Sequence, residues 1–125
     1  MRSFNWTTFK YAWQGLRDLY AHQPNFRVHL AFTAVAVGAG FLLGIGRLEW
    51  VAIVICILLV TTAEAMNTAL EYLTDLVSPG YHELAGKAKD AAAAAVLITA
   101  IGAVVVGLLV FVPRLWAWVT TWVFG

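Results

Sequence analysis

The chain has 125 residues, 62% of them hydrophobic and only 12% charged, with a mean hydropathy of +0.79. Soluble domains carry about 45–50% apolar and about 25% charged residues, so this composition describes a small integral membrane protein of one domain, 1–125. Eight Lys and Arg against seven Asp and Glu exclude a nucleic-acid binder working through net charge, and the single cysteine, Cys56, excludes an intrachain disulfide framework.

The first predicted element is an amphipathic helix over about 2–22. At 100° per residue, Trp6, Phe9, Trp13, Leu16 and Tyr20 share one face, while Thr7, Lys10, Gln14, Arg17 and Asp18 share the other. Such a helix lies in the membrane surface and can wall a site there. It lacks the compact apolar core of a cleavable signal peptide. Pro24 is expected to end it or to turn the chain into the membrane.

Three spanning helices follow. The segment 28–46 is uncharged apart from His29, which reads as a buried hydrogen-bonding residue near a helix start. Gly40 and Gly44 within it are spaced for a close helix contact. A polar break at Arg47 and Glu49 leads to a second helix over about 50–75. The third covers about 88–112 and is expected to stop at Pro113. Arg2, Lys10, Arg17, Arg27, Lys87 and Lys89 fall on one side of this arrangement, Arg47 and Arg114 on the other. The positive-inside rule then puts the N-terminus and the second connection in the cytoplasm of a multi-pass protein of the prokaryotic inner membrane. The fold class is all-α: a surface helix plus three transmembrane helices in an oligomeric bundle.

The acids are concentrated where the chemistry should be. Glu64, Asn67, Thr68, Glu71 and Asp75 lie within an arc of about 100° on the second spanning helix, with Met66, Leu70 and Leu73 opposite. Carboxylates in a membrane helix are costly unless paired, hydrated or metal-bound. Three helices enclose little, so this stripe is expected to meet a neighbouring subunit or the amphipathic helix. Two jobs suit the carboxylates: holding Mg²⁺, a hard ion that works with phosphates, and taking a proton from an alcohol. Asn67 can orient either acid, and Thr68 reads as a packing hydroxyl. Lys89 can meet a phosphate, and Asp90 a metal or that lysine. Glu64 alone would also allow a small transporter with an intramembrane proton carrier. No phosphate-binding glycine loop, zinc cluster or Ser-His-Asp spacing is present.

Residues 64–75, EAMNTALEYLTD, and 81–97, YHELAGKAKDAAAAAVL, resemble the small prokaryotic diacylglycerol kinase/undecaprenol kinase family. The similarity extends through KYAWQGLRDLY at 10–20, PNFRVH at 24–29 and RLEW at 47–50, leaving out roughly the last dozen residues. The resemblance implies an ATP- and Mg²⁺-dependent lipid kinase, a homotrimer with sites shared between subunits. It implies Glu64 as the general base toward the lipid hydroxyl, Glu71 as a metal ligand beside the ATP phosphates, and Asn67 and Asp75 in support. Tyr11, Tyr81, His82, Lys89 and Asp90 match positions around the nucleotide, and Trp13, Arg17, Phe26 and Trp50 match the lipid region. One departure is Gln23, where the family has a glutamate that serves as the second metal ligand; a glutamine keeps a carbonyl oxygen but loses the charge, which also admits an inactive scaffold. PNFRVH, RLEW and the triplet NTA at 67–69 are more similar to the undecaprenol kinase branch, so undecaprenol is the favoured acceptor, with diacylglycerol as the alternative.

Overall fold

Four helices run in chain order: α1 (Trp6–His22), α2 (Pro24–Leu43), α3 (Arg47–Val77) and α4 (Glu83–Phe124). The structure is a computed structural model that describes residues 5–125; Arg2 and the expected start of the first helix lie outside the described residues. No strand occurs among the described residues. Three helices, α2, α3 and α4, are long and apolar enough to cross a membrane.

The corner between α1 and α2 takes a single residue. The Gln23 N–H still bonds the Leu19 carbonyl of α1, while Pro24 occupies the first turn of α2. There its missing N–H costs nothing, and its fixed φ suits a helix start. Arg27 donates to the Tyr20 carbonyl at 2.8 Å and also to that of Ala21. It thereby occupies carbonyls that the end of α1 leaves without helical partners. Trp6, Trp13, Leu16 and Tyr20 remain exposed on α1, as an apolar face resting in a membrane surface would be.

The first spanning helix stops at Leu43 rather than at 46. Gly44 adopts φ +61° as its left-handed C-cap, and Ile45 turns back into the small core with Ile53 and Val110. Gly40 is needed for a different reason: the Trp50 ring packs where its Cβ would be, 2.7 Å from the nearest ring carbon. Both glycines thus serve contacts within one chain. Gly46 precedes α3, and its N–H donates to Glu49 Oε2 at 2.6 Å, half of a capping box.

The third spanning helix does not stop at Pro113 but continues to Phe124. A proline within a membrane helix removes one N–H donor, a loss that neighbouring groups can absorb. Arg114, just beyond it, anchors the helix by donating to the Gly44 carbonyl at 3.0 Å and to Glu49 Oε2 at 2.6 Å. At the other end Lys89 pairs with Asp75 at 2.5 Å. At 1.5 Å per residue, about 39 Å of α3 separates Glu49 from Asp75, and about 38 Å of α4 separates Lys89 from Arg114. The two ion pairs therefore agree on one antiparallel register. Their spacing matches a bilayer including its headgroups, about 40–45 Å.

Candidate active site

Glu64 is the deepest acid on α3 and is 3% exposed. It is buried because the stripe found in the sequence points inward. Asn67 and Thr68 are also buried, Glu71 is half-buried, and Asp75 is exposed, while Met66, Leu70 and Leu73 face outward. The inner part of the stripe is buried by this chain's own helices, while Glu71 and Asp75 farther out stay at least partly open. The physical reason is the tight α3–α4 pairing and the approach of α2, which brings His29 Nε2 to 3.7 Å from Glu64 Oε2. The stripe thus grades from dry to wet over about 16 Å of helix, from Glu64 to Asp75.

Asn67 sits one turn outward of Glu64. Its Nδ2 donates to Glu71 Oε1 at 3.2 Å, which orients that carboxylate. Its Oδ1 is buried with no hydrogen-bond partner. Such an orphan is uncommon in a folded protein and marks a place where a polar guest fits. Farther out, Asp75 takes the Lys89 ammonium. Thr74 donates to the Leu70 carbonyl at 2.6 Å and so adds no free donor to the stripe.

The α1–α2 corner reaches this stripe through Tyr72. The Gln23 Nε2 donates to the Tyr72 hydroxyl at 3.0 Å, and that hydroxyl donates to Asp18 Oδ2 at 3.3 Å. Asp18 also holds His22 Nδ1 at 2.9 Å. Gln23 is thus tied to the residue next to Glu71. Among the described residues no group of three or more His, Cys, Asp or Glu forms a ready metal cage. The oxygens on offer are the Glu71 carboxylate, which Asn67 holds, and at the corner the carbonyl of Gln23, whose amide is turned to Tyr72. Magnesium typically takes one or two protein carboxylates and completes its shell with phosphates and water, so this sparse oxygen set fits it.

The remaining candidate residues fall in three places. Tyr81 is fully exposed, and His82 caps α4, its Nδ1 accepting the Leu84 N–H at 3.1 Å; Asp90 is exposed about two turns into α4. His82 also lines an open cleft of about 430 Å³ at the α3–α4 connection. Tyr11, Trp13 and Arg17 are exposed on α1, and Phe26 is buried at the start of α2. Trp50 is not brought to the acids. It lies against Phe41, with ring centroids 4.8 Å apart, about 21 Å along α3 from Glu64. At that depth it can meet only the far part of a long chain.

Two residues at the site escaped the sequence reading. Tyr72 was not singled out, although its place beside Glu71 was a signal. His29 was read as a buried hydrogen-bonding residue with no partner named; its contact with Glu64 depends on how α2 crosses α3. His29 also opens onto a lateral groove of about 290 Å³ between α2, α3 and α4, lined by Phe32, Ile53, Val60, Val104 and Phe111 among others. The groove is apolar apart from His29 and Thr33, a lining that suits an aliphatic chain, and His29 is its link to the buried carboxylate.

The chain matches the family described as prokaryotic diacylglycerol kinase over residues 10–111. It is 46% identical over 110 residues to a diacylglycerol kinase of Synechocystis, covering 86% of this chain and 62% of that longer protein. It is 36% identical over 108 residues to the undecaprenol kinase of Bacillus subtilis, covering 86% and 88% of the two chains. It is also 36% identical over 95 residues to the diacylglycerol kinase of Escherichia coli, covering 76% and 78%. The membrane-length helices, the inward acidic stripe and these similarities together show that the chain belongs to the prokaryotic diacylglycerol kinase family, a family of membrane lipid kinases.

Proposed function

We propose that this chain, a single lipid-kinase domain, transfers the γ-phosphoryl group of ATP to the primary hydroxyl of a membrane lipid, with undecaprenol as the favoured acceptor. The observation that carries this reading is the graded stripe on α3. Glu64 is buried 3.7 Å from His29, which lines an apolar groove, and Glu71 lies half-buried about 10 Å farther out along α3. That interval leaves room for an acceptor hydroxyl and a phosphoryl group between the two carboxylates.

The lipid chain lies in the lateral groove, with Trp13, Arg17 and Phe26 near its head region and Trp50 toward its far end. Glu64 takes the hydroxyl proton as the oxygen attacks the γ-phosphorus. Asn67 keeps Glu71 oriented. Glu71 and Gln23 would hold Mg²⁺, which when bound offsets charge on the ATP phosphates. Lys89 leaves Asp75 to meet the same phosphates, supplying positive charge where negative charge develops. Tyr11, Tyr81, His82 and Asp90 border the nucleotide. The arginines and lysines orient the protein as a multi-pass chain with its N-terminus and the α3–α4 connection in the cytoplasm, where ATP is found. The exposed apolar faces of α2, α3 and α4 suit a homo-oligomer, a trimer by family resemblance.

Undecaprenol is favoured by PNFRVH, RLEW and the NTA triplet. Diacylglycerol is the second reading, favoured by the 46% identity to the Synechocystis protein of that name. The deciding experiment is phosphate transfer from labelled ATP in bilayers, with each lipid offered separately, with and without Mg²⁺. Product from undecaprenol at the higher rate supports the first reading; a higher rate on diacylglycerol replaces it with the second. Glu64→Gln should slow transfer by about 10²–10⁴-fold while leaving assembly intact. Retention of most activity would reject the base assignment. No product from either lipid in the folded protein would favour a transporter or a scaffold.

A further inference from the structure

Glu64 has a chemical problem that its burial creates. After it has taken the hydroxyl proton it is a carboxylic acid with almost no contact with water, and it must lose that proton before the next turnover. Its own helix offers no basic group nearby: Asn67, one turn away, is a non-basic amide, and Glu71 lies about 10 Å along the helix. Arg27, on the turn of α2 before His29, is occupied by the carbonyls of Tyr20 and Ala21. Among the described residues, the one titratable side chain within ion-pair reach of Glu64 is His29, at 3.7 Å. The His29 side chain is 20% exposed against 3% for Glu64, so it is the more open of the two.

We propose that His29 resets the base after each phosphoryl transfer. This rests on the kinase reading above and on Glu64 as its base. In the transfer step the lipid O–H bond breaks and its proton bonds to Glu64. The lipid oxygen forms the new P–O bond, and the bond from the γ-phosphorus to the bridging oxygen breaks with its electron pair leaving on ADP. In the reset step the Glu64 O–H bond breaks and the proton passes to the neutral imidazole of His29 at Nε2. The imidazolium then releases a proton to water at its exposed edge. The 3.7 Å separation is longer than a hydrogen bond, but catalytic hydrogen bonds in resting sites are often long and tighten when substrate binds. His29 also lines the lateral groove, so an occupying chain would press the ring toward Glu64. His29 is therefore assigned as a proton acceptor of the site rather than a packing residue.

The test separates the first turnover from later ones. The full chain in bilayers is mixed rapidly with labelled ATP, Mg²⁺ and whichever lipid the unmodified chain phosphorylates. His29→Gln, which keeps polarity and length but accepts no proton, should complete its first turnover within about threefold of the unmodified rate and then run at least about tenfold slower. The burst should equal one product per site. Free imidazole should speed the slow phase of His29→Ala and leave the unmodified chain unchanged. A normal steady rate in His29→Gln, or a first turnover slowed as much as the later ones, would overturn the proposal. A variant that has lost its fold gives no first-turnover burst, and imidazole rescue of His29→Ala then decides. If the unmodified chain phosphorylates neither lipid, the kinase reading fails. If it does, and a folded His29→Gln shows no burst, the inference alone fails.

Discussion

Asn67→Leu should separate stability from activity. Asn67 is 8% exposed, donates one hydrogen bond to Glu71 at 3.2 Å, and leaves Oδ1 without a partner. The hydrogen bond goes to a carboxylate but is long, so its loss costs about 1.5 kcal/mol, the low end for charged partners. Removing the buried, unpaired carbonyl oxygen returns about 1–3 kcal/mol. Leucine has the same branched outline but greater bulk, so no cavity opens and any overpacking works against the gain. The effects largely offset, and the fold should change by no more than about 1.5 kcal/mol. Activity should not be spared. Without the Asn67 amide the Glu71 carboxylate loses its fixed orientation beside the phosphates, and about a tenfold fall in kcat corresponds to only about 1.4 kcal/mol of transition-state stabilisation. Reversible unfolding in bicelles gives the stability and phosphate transfer in bilayers gives the rate. A loss of more than about 3 kcal/mol in stability, or unchanged kcat, would refute the reasoning.

Gln23→Glu should lower the Mg²⁺ concentration needed for half-maximal transfer, because a second carboxylate joins Glu71; an unchanged magnesium titration would remove Gln23 from the metal site. Arg114→Glu should lower the unfolding temperature by setting two acids against each other at the end of α3, and the double exchange with Glu49→Arg should restore much of it. No recovery in the double variant would show that this pair does not hold the α3–α4 register. Gly40→Ala puts a Cβ 2.7 Å from the Trp50 ring, so overpacking of about 1–3 kcal/mol should exceed the helix-propensity gain of about 1 kcal/mol. The same substitution in a Trp50→Leu background should be neutral or stabilising, and a destabilisation that persists there would rule out the ring as its cause.

Much of this protein is determined by local pattern. Apolar run lengths announce three membrane-length helices, and the face-sorted aromatics of α1 announce a surface helix, because lipid demands long uncharged helices and an interface demands two-sided ones. The inward stripe from Glu64 to Asp75 is likewise a matter of 3.6-residue periodicity, and its motif points to the family. What the linear pattern cannot carry is how one helix meets another. Pro113 reads as a stop in isolation, yet α4 continues because Arg114 is held by Gly44 and Glu49 across the fold. Gly40 and Gly44 read as a helix-contact pair, yet one accommodates a tryptophan ring and the other a left-handed cap. His29 reads as a buried hydrogen-bonding residue, but its partner is named only when α2 crosses α3 and brings it to Glu64. Periodicity orders residues around their own helix and is blind to rotation and register between helices. Those are decided by side-chain contacts far apart in sequence, and so the partners of Glu64 belong to the tertiary structure alone.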